Sequence, residues 1–258
     1  MLLFADALLA RRLEAAEAAN ARGCSGRAAE ILEIAGGCAI FAGAASPLSQ
    51  AVGLGLNGPV SPQELDALEA FFRSRGAPVS VDLCPHADPG FTEALAARGY
   101  GVAEFNNVMV RRLDGLEIAF TPRVRRALAS ESDLWSHAVG HGFFEQAGLT
   151  DEEMEVGRAI FAMPGAVCYL SVTESGQLAG GGALAIHDGL ATLFADSTSP
   201  LHRRQGLHRE LIAARLNEAL ARGCAMATAS TLPGSGSQRN YERLGFQVAY
   251  TKVTLKSQ

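Results

Sequence analysis

Two stretches of the chain match one another 146 to 147 residues apart, and that match limits the architecture more than any single motif. Pro62-Gln63-Glu64-Leu65 to Arg75-Gly76 answers Arg209-Glu210-Leu211 to Arg222-Gly223. After a one-residue slip, Ala96-Ala97-Arg98-Gly99-Tyr100 answers Glu242-Arg243-Leu244-Gly245-Phe246. Each half therefore carries a helix stopped by glycine and, further on, a short helix leading into a long strand. Solenoid repeats run about 20–50 residues, so a period this long means a whole domain written twice. The 258 residues suit two domains of ordinary size. The expected division is residues 1–116 and residues 117–258.

Composition narrows the class. Hydrophobic residues make up 48% of the chain, enough for a core in each half. The formal charge of −5 argues against wholesale nucleic-acid binding and favours a cationic, amine-bearing small substrate. Five scattered cysteines, odd in number and without CxxC spacing, read as reduced, partly buried thiols. No apolar run approaches the ~20 residues that span a bilayer, so no membrane partner is expected. The apolar opening Met1 to Ala10 is interrupted by Asp6 and followed, not preceded, by basic residues. That order is wrong for a signal peptide and predicts a helix in a cytoplasmic protein.

In the first half, residues 1–22 read as a helix with Leu2, Leu3, Ala5, Leu8, Leu9 and Leu13 on its apolar face. Two or three short strands fit Ile31 to Leu56, and Asn57-Gly58-Pro59 is a turn. Ser61 is a helix N-cap, with Pro62 next and Glu64 closing a capping box, and Leu65, Leu68, Phe71 and Phe72 form the buried face. A buried strand over Pro78 to Leu83, a short helix over Phe91 to Arg98 and a long strand over Val102 to Leu113 complete the half.

The second half starts near Pro122, after an Asp114-Gly115 turn. Val124 to Leu128 predicts a strand, and Ser130 to Gly142 and Asp151 to Met163 predict helices. Val167 to Val172, Gln177 to Ile186 and Leu190 to Asp196 read as antiparallel strands, joined by the turns Glu174-Ser175-Gly176 and His187-Asp188-Gly189. A helix over Leu207 to Arg222, a strand over Ala225 to Ser230, a helix over Ser237 to Leu244 and a strand over Phe246 to Leu255 follow.

Between the third antiparallel strand and the next helix stands His202-Arg203-Arg204-Gln205-Gly206-Leu207-His208. Arginines, a glycine and a helix start make a pocket for an anion, because backbone N–H groups converge there and the helix dipole adds positive potential. Gly206 lets the main chain approach a ligand without a Cβ. The stretch resembles the acyl-CoA pyrophosphate loop of the GNAT N-acetyltransferase superfamily: Arg203 and Gly206 fit the pattern, while His208 stands where a glycine or alanine is usual. The order of elements is similar to that family too. Ser237 to Phe246 resembles its late helix, with Tyr241 four residues before Gly245-Phe246.

The resemblance implies an α/β (α+β) fold of two tandem GNAT-like domains, each a mixed, mostly antiparallel twisted sheet flanked by helices. It also implies an acetyltransferase whose cofactor is acetyl-CoA. The pyrophosphate would be gripped by Arg203, Arg204, Gln205, Gly206, Leu207 and His208. The pantetheine arm would run along the strand end at Ser197 and Thr198, and Ser237 and Asn240 belong to the implied cofactor-binding set as well. Positioning supplies much of the rate in such a reaction. A departing thiolate needs a hydrogen-bond donor, and Tyr241 is the residue the resemblance offers, since a phenol near pKa 10 stays protonated at neutral pH. The ammonium must lose a proton, for which Asp196 and Glu145 are candidates and relayed water an alternative. His137 and His141 are spaced like two metal ligands on one helix face, with no third ligand nearby, so no metal site is expected.

The first half lacks this equipment. Asn57 to Pro62 occupies the place of the anion loop, with no arginine and two prolines that cannot donate N–H groups, and Leu95 falls where Tyr241 stands. It reads as a degenerate copy. The function expected is direct transfer of an acetyl or other short acyl group to an amine on a small molecule. A non-catalytic acyl-CoA-binding or regulatory protein and a protein or peptide amine acetyltransferase are the alternatives. The identity of the acceptor is not legible in the sequence, and a homodimer is left open.

Overall fold

The computed structural model describes residues 6–24, 29–113, 122–146 and 148–257. In chain order its elements are α1 (Ala7–Gly23), β1 (Glu30–Ile34), β2 (Gly37–Phe41), β3 (Gln50–Val52), α2 (Pro62–Arg73), β4 (Ser80–Leu83), α3 (Pro89–Ala97) and β5 (Tyr100–Arg112). There follow β6 (Val124–Arg126), α4 (Ser132–Phe144), α5 (Asp151–Phe161), β7 (Val167–Val172), β8 (Leu178–His187) and β9 (Leu190–Thr198). The last four are α6 (Leu207–Ala221), β10 (Met226–Thr231), α7 (Gly236–Arg243) and β11 (Gln247–Ser257). The expected Asp114-Gly115 turn, the boundary after residue 116 and the residues Met1 to Ala5 lie outside the described residues.

By internal contacts the chain forms two compact units, residues 1–108 with 248–258, and residues 109–247. β5 begins in the first and ends in the second. In the first unit the strands run β1-β2-β3-β4-β11. β1–β2, β2–β3 and β4–β11 are antiparallel and β3–β4 is parallel. The strand at Phe246 to Leu255, expected from chain order to close the second half, pairs with β4 instead, Val253 opposite Leu83 and Lys256 opposite Ser80.

Local chemistry sets these elements. Ser61 Oγ accepts from the Glu64 N–H while the Glu64 carboxylate accepts from the Ser61 N–H at 2.8 Å, the capping box read from the sequence. α2 then buries Leu65, Leu68 and Phe72 against Val79, Val81, Phe91 and Leu95. Asp6, which interrupts the apolar start, is the N-cap of α1 and accepts from the Leu9 N–H at 2.8 Å. Of the apolar face expected for α1, Leu2, Leu3 and Ala5 lie outside the described residues, while Leu13 is buried and Leu9 half-buried. Leu8 is exposed, and Ala10, Leu13, Glu14 and Ala16 are buried.

The burial of Glu14 brings in a charged cluster that hydropathy could not foresee. Tyr250 on β11 donates its hydroxyl to Glu14 at 2.6 Å. Lys252, also on β11, pairs with Glu17 of α1 and with Asp82 of β4 at 3.2 Å. Three carboxylates thus share one ammonium in the interior. Burial raises the Glu14 carboxyl to about 7, with the neighbouring Glu17 and Asp82 charges acting the same way against Lys252. Its Oε2 has no hydrogen-bond partner among the described residues, consistent with a neutral acid.

In the second unit the strands run β10-β9-β8-β7-β6. β9–β8, β8–β7 and β7–β6 are antiparallel and β10–β9 parallel. The β8–β9 hairpin turns through Asp188 and Gly189, both left-handed, as a two-residue primed turn requires. The Trp135 ring of α4 is wholly buried, and its Nε1–H donates to the Tyr169 carbonyl of β7 at 3.0 Å. All five cysteines are buried thiols. No helix among the described residues is long and apolar enough to cross a membrane.

The Glu14 cluster predicts a pH dependence of stability. An unfolded glutamate ionises near pH 4.3, whereas the folded carboxyl holds its proton to about 7. The folded state therefore binds the extra proton, and stability falls as pH rises through that window and levels off above it. Glu14→Gln is expected to flatten the slope and to gain roughly 2 kcal/mol over the parent at pH 8. Denaturant melts at pH 5 and pH 8, at matched ionic strength, check this.

Candidate functional site

The cleft of the second unit is built around a kink in β9. Gly181 faces Ser197 and Ala183 faces Phe194, so Gly182 stands opposite both Ala195 and Asp196. Ala195 is the extra residue of this bulge and sits in the left-handed region at φ 53°. The bulge delivers the Asp196 carboxylate to α6 and α7. Arg215, in mid-α6 and fully buried, donates from Nη1 to Asp196 Oδ1 and to the Ala183 carbonyl at 3.0 Å. Tyr241 of α7 donates its hydroxyl to Asp196 Oδ2, and His208 Nε2 lies 3.2 Å from the same oxygen. A Cβ on Gly182 would come within 2.9 Å of the Arg215 guanidinium and of Asp196 Oδ1, so only glycine leaves room for the pair.

Burial alone would raise the Asp196 carboxyl, but the Arg215 charge and the His208 and Arg215 hydrogen bonds outweigh it and hold it below its ordinary value. Burial first, then the Asp196 charge, pushes the Tyr241 phenol well above 10. Asp196 is thus an ionised carboxylate with its lone pairs engaged, and Tyr241 keeps its proton.

Above this pair opens a cleft of about 780 Å³. α6 starts at its mouth. Its N-cap is Gly206 at φ 83°, no side chain caps it, and Arg204 two residues earlier is also left-handed at φ 64°. The first-turn N–H groups of α6 are thereby left to a ligand. Arg123 steadies the loop from below, donating to the Gln205 carbonyl at 3.1 Å and pairing with Glu210. Arg203, Arg204, Arg209, Arg239 and Arg243 all line the cleft, a concentration of positive charge in a chain of net charge −5.

The parallel pairing of β9 with β10 covers only Leu190–Thr192 against Met226–Thr228, although β9 runs on to Thr198 and β10 to Thr231. The two strands part below the loop. Ser197 and Thr198 line the cleft there, and their buried hydroxyls have no hydrogen-bond partner among the described residues. An unpartnered buried hydroxyl costs stability unless something arrives to pair with it.

Of the residues singled out from sequence, Glu145, Asp196, Ser197, Thr198, Arg203, Arg204, Gly206, Leu207, His208, Ser237 and Asn240 line one cleft. Gln205 belongs to the same loop but is not in the lining. Tyr241 lies beneath the floor, with 1% of its surface exposed. Glu145 is on the rim, more than half exposed, and pairs with Arg203 at 2.7 Å. Arg215 was missed. The signal was available, because Arg215 follows Leu207 and Leu211 at four-residue steps along the buried stripe of α6, where a charge needs a partner. The rings of His137 and His141 stack 6.1 Å apart.

Residues 133–246 match the model of the acetyltransferase (GNAT) family. Among solved structures, a GCN5-related N-acetyltransferase from Kribbella flavida is similar at a TM-score of 0.69 and 21% identity, with 95% of each chain covered. A GCN5-related N-acetyltransferase from Sphaerobacter thermophilus is similar at 0.59 and 14% identity, covering 88% of this chain and 75% of that one. A tandem GNAT protein from the clavulanic acid biosynthesis pathway is similar at 0.53 and 16% identity, covering 71% of this chain and 65% of that one. No curated protein matches. Residues 133–246 are thus a GNAT acyltransferase domain, in a mixed α/β chain whose fold neighbours include a tandem member of that family.

Asp196→Asn removes one charge of a buried pair and leaves Arg215 uncompensated, so a loss of about 3–5 kcal/mol is expected. The folded carboxyl is depressed, so its contribution is complete above the unfolded value near pH 3.9 and disappears as the pH falls through the folded one. Urea titrations of both proteins between pH 3 and pH 7 should show the parent losing its advantage only at the acid end.

Proposed function

We propose that the GNAT domain of this protein transfers an acetyl or other short acyl group from acyl-CoA to an amine on a small molecule. The observation that carries the reading is the uncapped start of α6, preceded by the left-handed residues Arg204 and Gly206 and facing a cleft lined by arginines. A diphosphate suits it: the first-turn N–H groups donate, Gly206 keeps the approach clear, and Arg204 and Arg209 supply charge. Ser197 and Thr198 fit the amide-bearing arm of the cofactor, since their hydroxyls need partners and β9 parts from β10 beside them. Ser237 and Asn240 of α7 form the opposite wall.

Bound acetyl-CoA supplies an activated thioester. The chain's own residues orient it and handle protons. The floor formed by Asp196, Arg215 and Tyr241 is rigid and polar, and it keeps α6, α7 and β9 in register around the reacting groups. Phe143, an exposed ring beside the cleft, and Glu145 on its rim suit an acceptor with an apolar body and a cationic amine.

We read the first half as a degenerate copy of the same domain. Its α2 begins on a capping box, so the N–H groups that would meet a phosphate are already paired with Ser61 and with the carboxylate of Glu64. A negative charge at that position repels an anion.

Gly206→Val tests the cofactor site. A β-branched residue at φ 83° is strained and brings bulk to the loop. Affinity for CoA is expected to fall roughly tenfold or more, measured by calorimetry, with the melting temperature as a control for folding. Unchanged CoA affinity would refute the loop assignment. Thiol release from acetyl-CoA with a panel of small amines, set beside CoA binding, separates an enzyme from a binding protein.

A further inference from the structure

We propose that His208 transfers the proton in this cleft, receiving it from the attacking amine and passing it to the departing sulfur, with Asp196 and Asn240 fixing the tautomer; this rests on the acyl-CoA reading of the site. The hydrogen bonds around the imidazole have a direction. Arg243 Nη1 donates to Asn240 Oδ1 at 3.1 Å, which fixes the amide so that Nδ2 faces the ring. Asn240 Nδ2 then donates to His208 Nδ1 at 3.0 Å. Nδ1 must therefore be the unprotonated nitrogen, and Nε2–H donates to Asp196 at 3.2 Å. A buried carboxylate that holds one imidazole N–H and leaves the other nitrogen as an acceptor is the arrangement that hydrolytic triads use to set a histidine's tautomer, and here that acceptor is met by the Asn240 amide.

The other candidates are spoken for. The Tyr241 hydroxyl is buried under His208, with ring centroids 5.8 Å apart, and its proton is held by Asp196. Asp196 shares its oxygens among Arg215, Tyr241 and His208. Glu145 is engaged by Arg203 on the exposed rim. His208 lines the cleft, and the charges facing it are the Asp196 carboxylate from β9 and, behind that, the Arg215 cation from α6. Asn240 and Tyr241 face it from α7.

The step balances without a further reactant. The amine nitrogen attacks the thioester carbonyl carbon and forms the C–N bond. The C–S bond breaks with its electron pair on sulfur. The proton lost from nitrogen moves to His208 Nδ1, displacing the Asn240 N–H, and then to the thiolate, giving an amide and a free thiol.

Nitrogen-15 NMR of the unliganded protein reads the tautomer without any acceptor. A protonated Nε2 and bare Nδ1 are expected, and the reverse pattern overturns the inference. His208→Gln keeps an N–H donor for Asp196; its kcat should fall about 100-fold or more, with the acetyl-CoA Kd changed by no more than about threefold. Imidazole added to His208→Ala should restore part of the rate. A kcat near the parent's in His208→Gln overturns the inference, as does an equal loss in Tyr241→Phe or a parent that binds acetyl-CoA and acylates no amine. A parent that fails to bind acetyl-CoA, with the expected tautomer present, sinks the cofactor reading and this role together.

Discussion

The second unit depends on a carboxylate that could not be buried by itself. Asp196 enters the interior only because Arg215 is already there, and Arg215 is tolerable only because Asp196 and two strand carbonyls receive its protons. The pair demands space, which Gly182 provides, and direction, which the bulge at Ala195 provides. From it the arrangement of the cleft follows. Tyr241 is drawn down onto Asp196, bringing α7 with it, and His208 is drawn across the first turn of α6. Three elements, β9, α6 and α7, are thereby held by one negative charge.

Two helix starts, α2 and α6, show how the same local device can be closed or open. Each follows a turn and faces away from a packed core. At α2 the chain supplies its own oxygen and its own carboxylate, and the helix dipole is satisfied internally. At α6 the N-cap is a glycine, and the dipole, the free N–H groups and the arginines reinforce one another. A serine in one place and a glycine in the other separate an ordinary helix from a candidate anion site.

Much of this was legible in the sequence because it is encoded locally. The capping box at Ser61 needs three residues, the turn at Asp188-Gly189 needs two, and the loop before α6 announces itself by arginine and glycine spacing. What could not be read depends on meetings between distant segments. Nothing near Glu14 reveals that Tyr250 will reach it, and nothing near Lys252 reveals Asp82. The burial of Glu14 in α1 was missed for this reason, since a hydropathy pattern cannot price a buried acid whose partner is more than 230 positions away. The location of β11 is a similar case. Chain order predicts neighbours, and antiparallel pairing with β4 follows from register and burial that only the assembled sheet displays.

That location has a consequence for biogenesis. α1 and β4 are synthesised well before the strand and the ammonium that complete their packing, which lie more than 160 residues further along the chain. Until β11 emerges the nascent first unit carries an unpaired edge on β4 and a nest of acids without Lys252, so its consolidation has to wait for the whole intervening domain to be made.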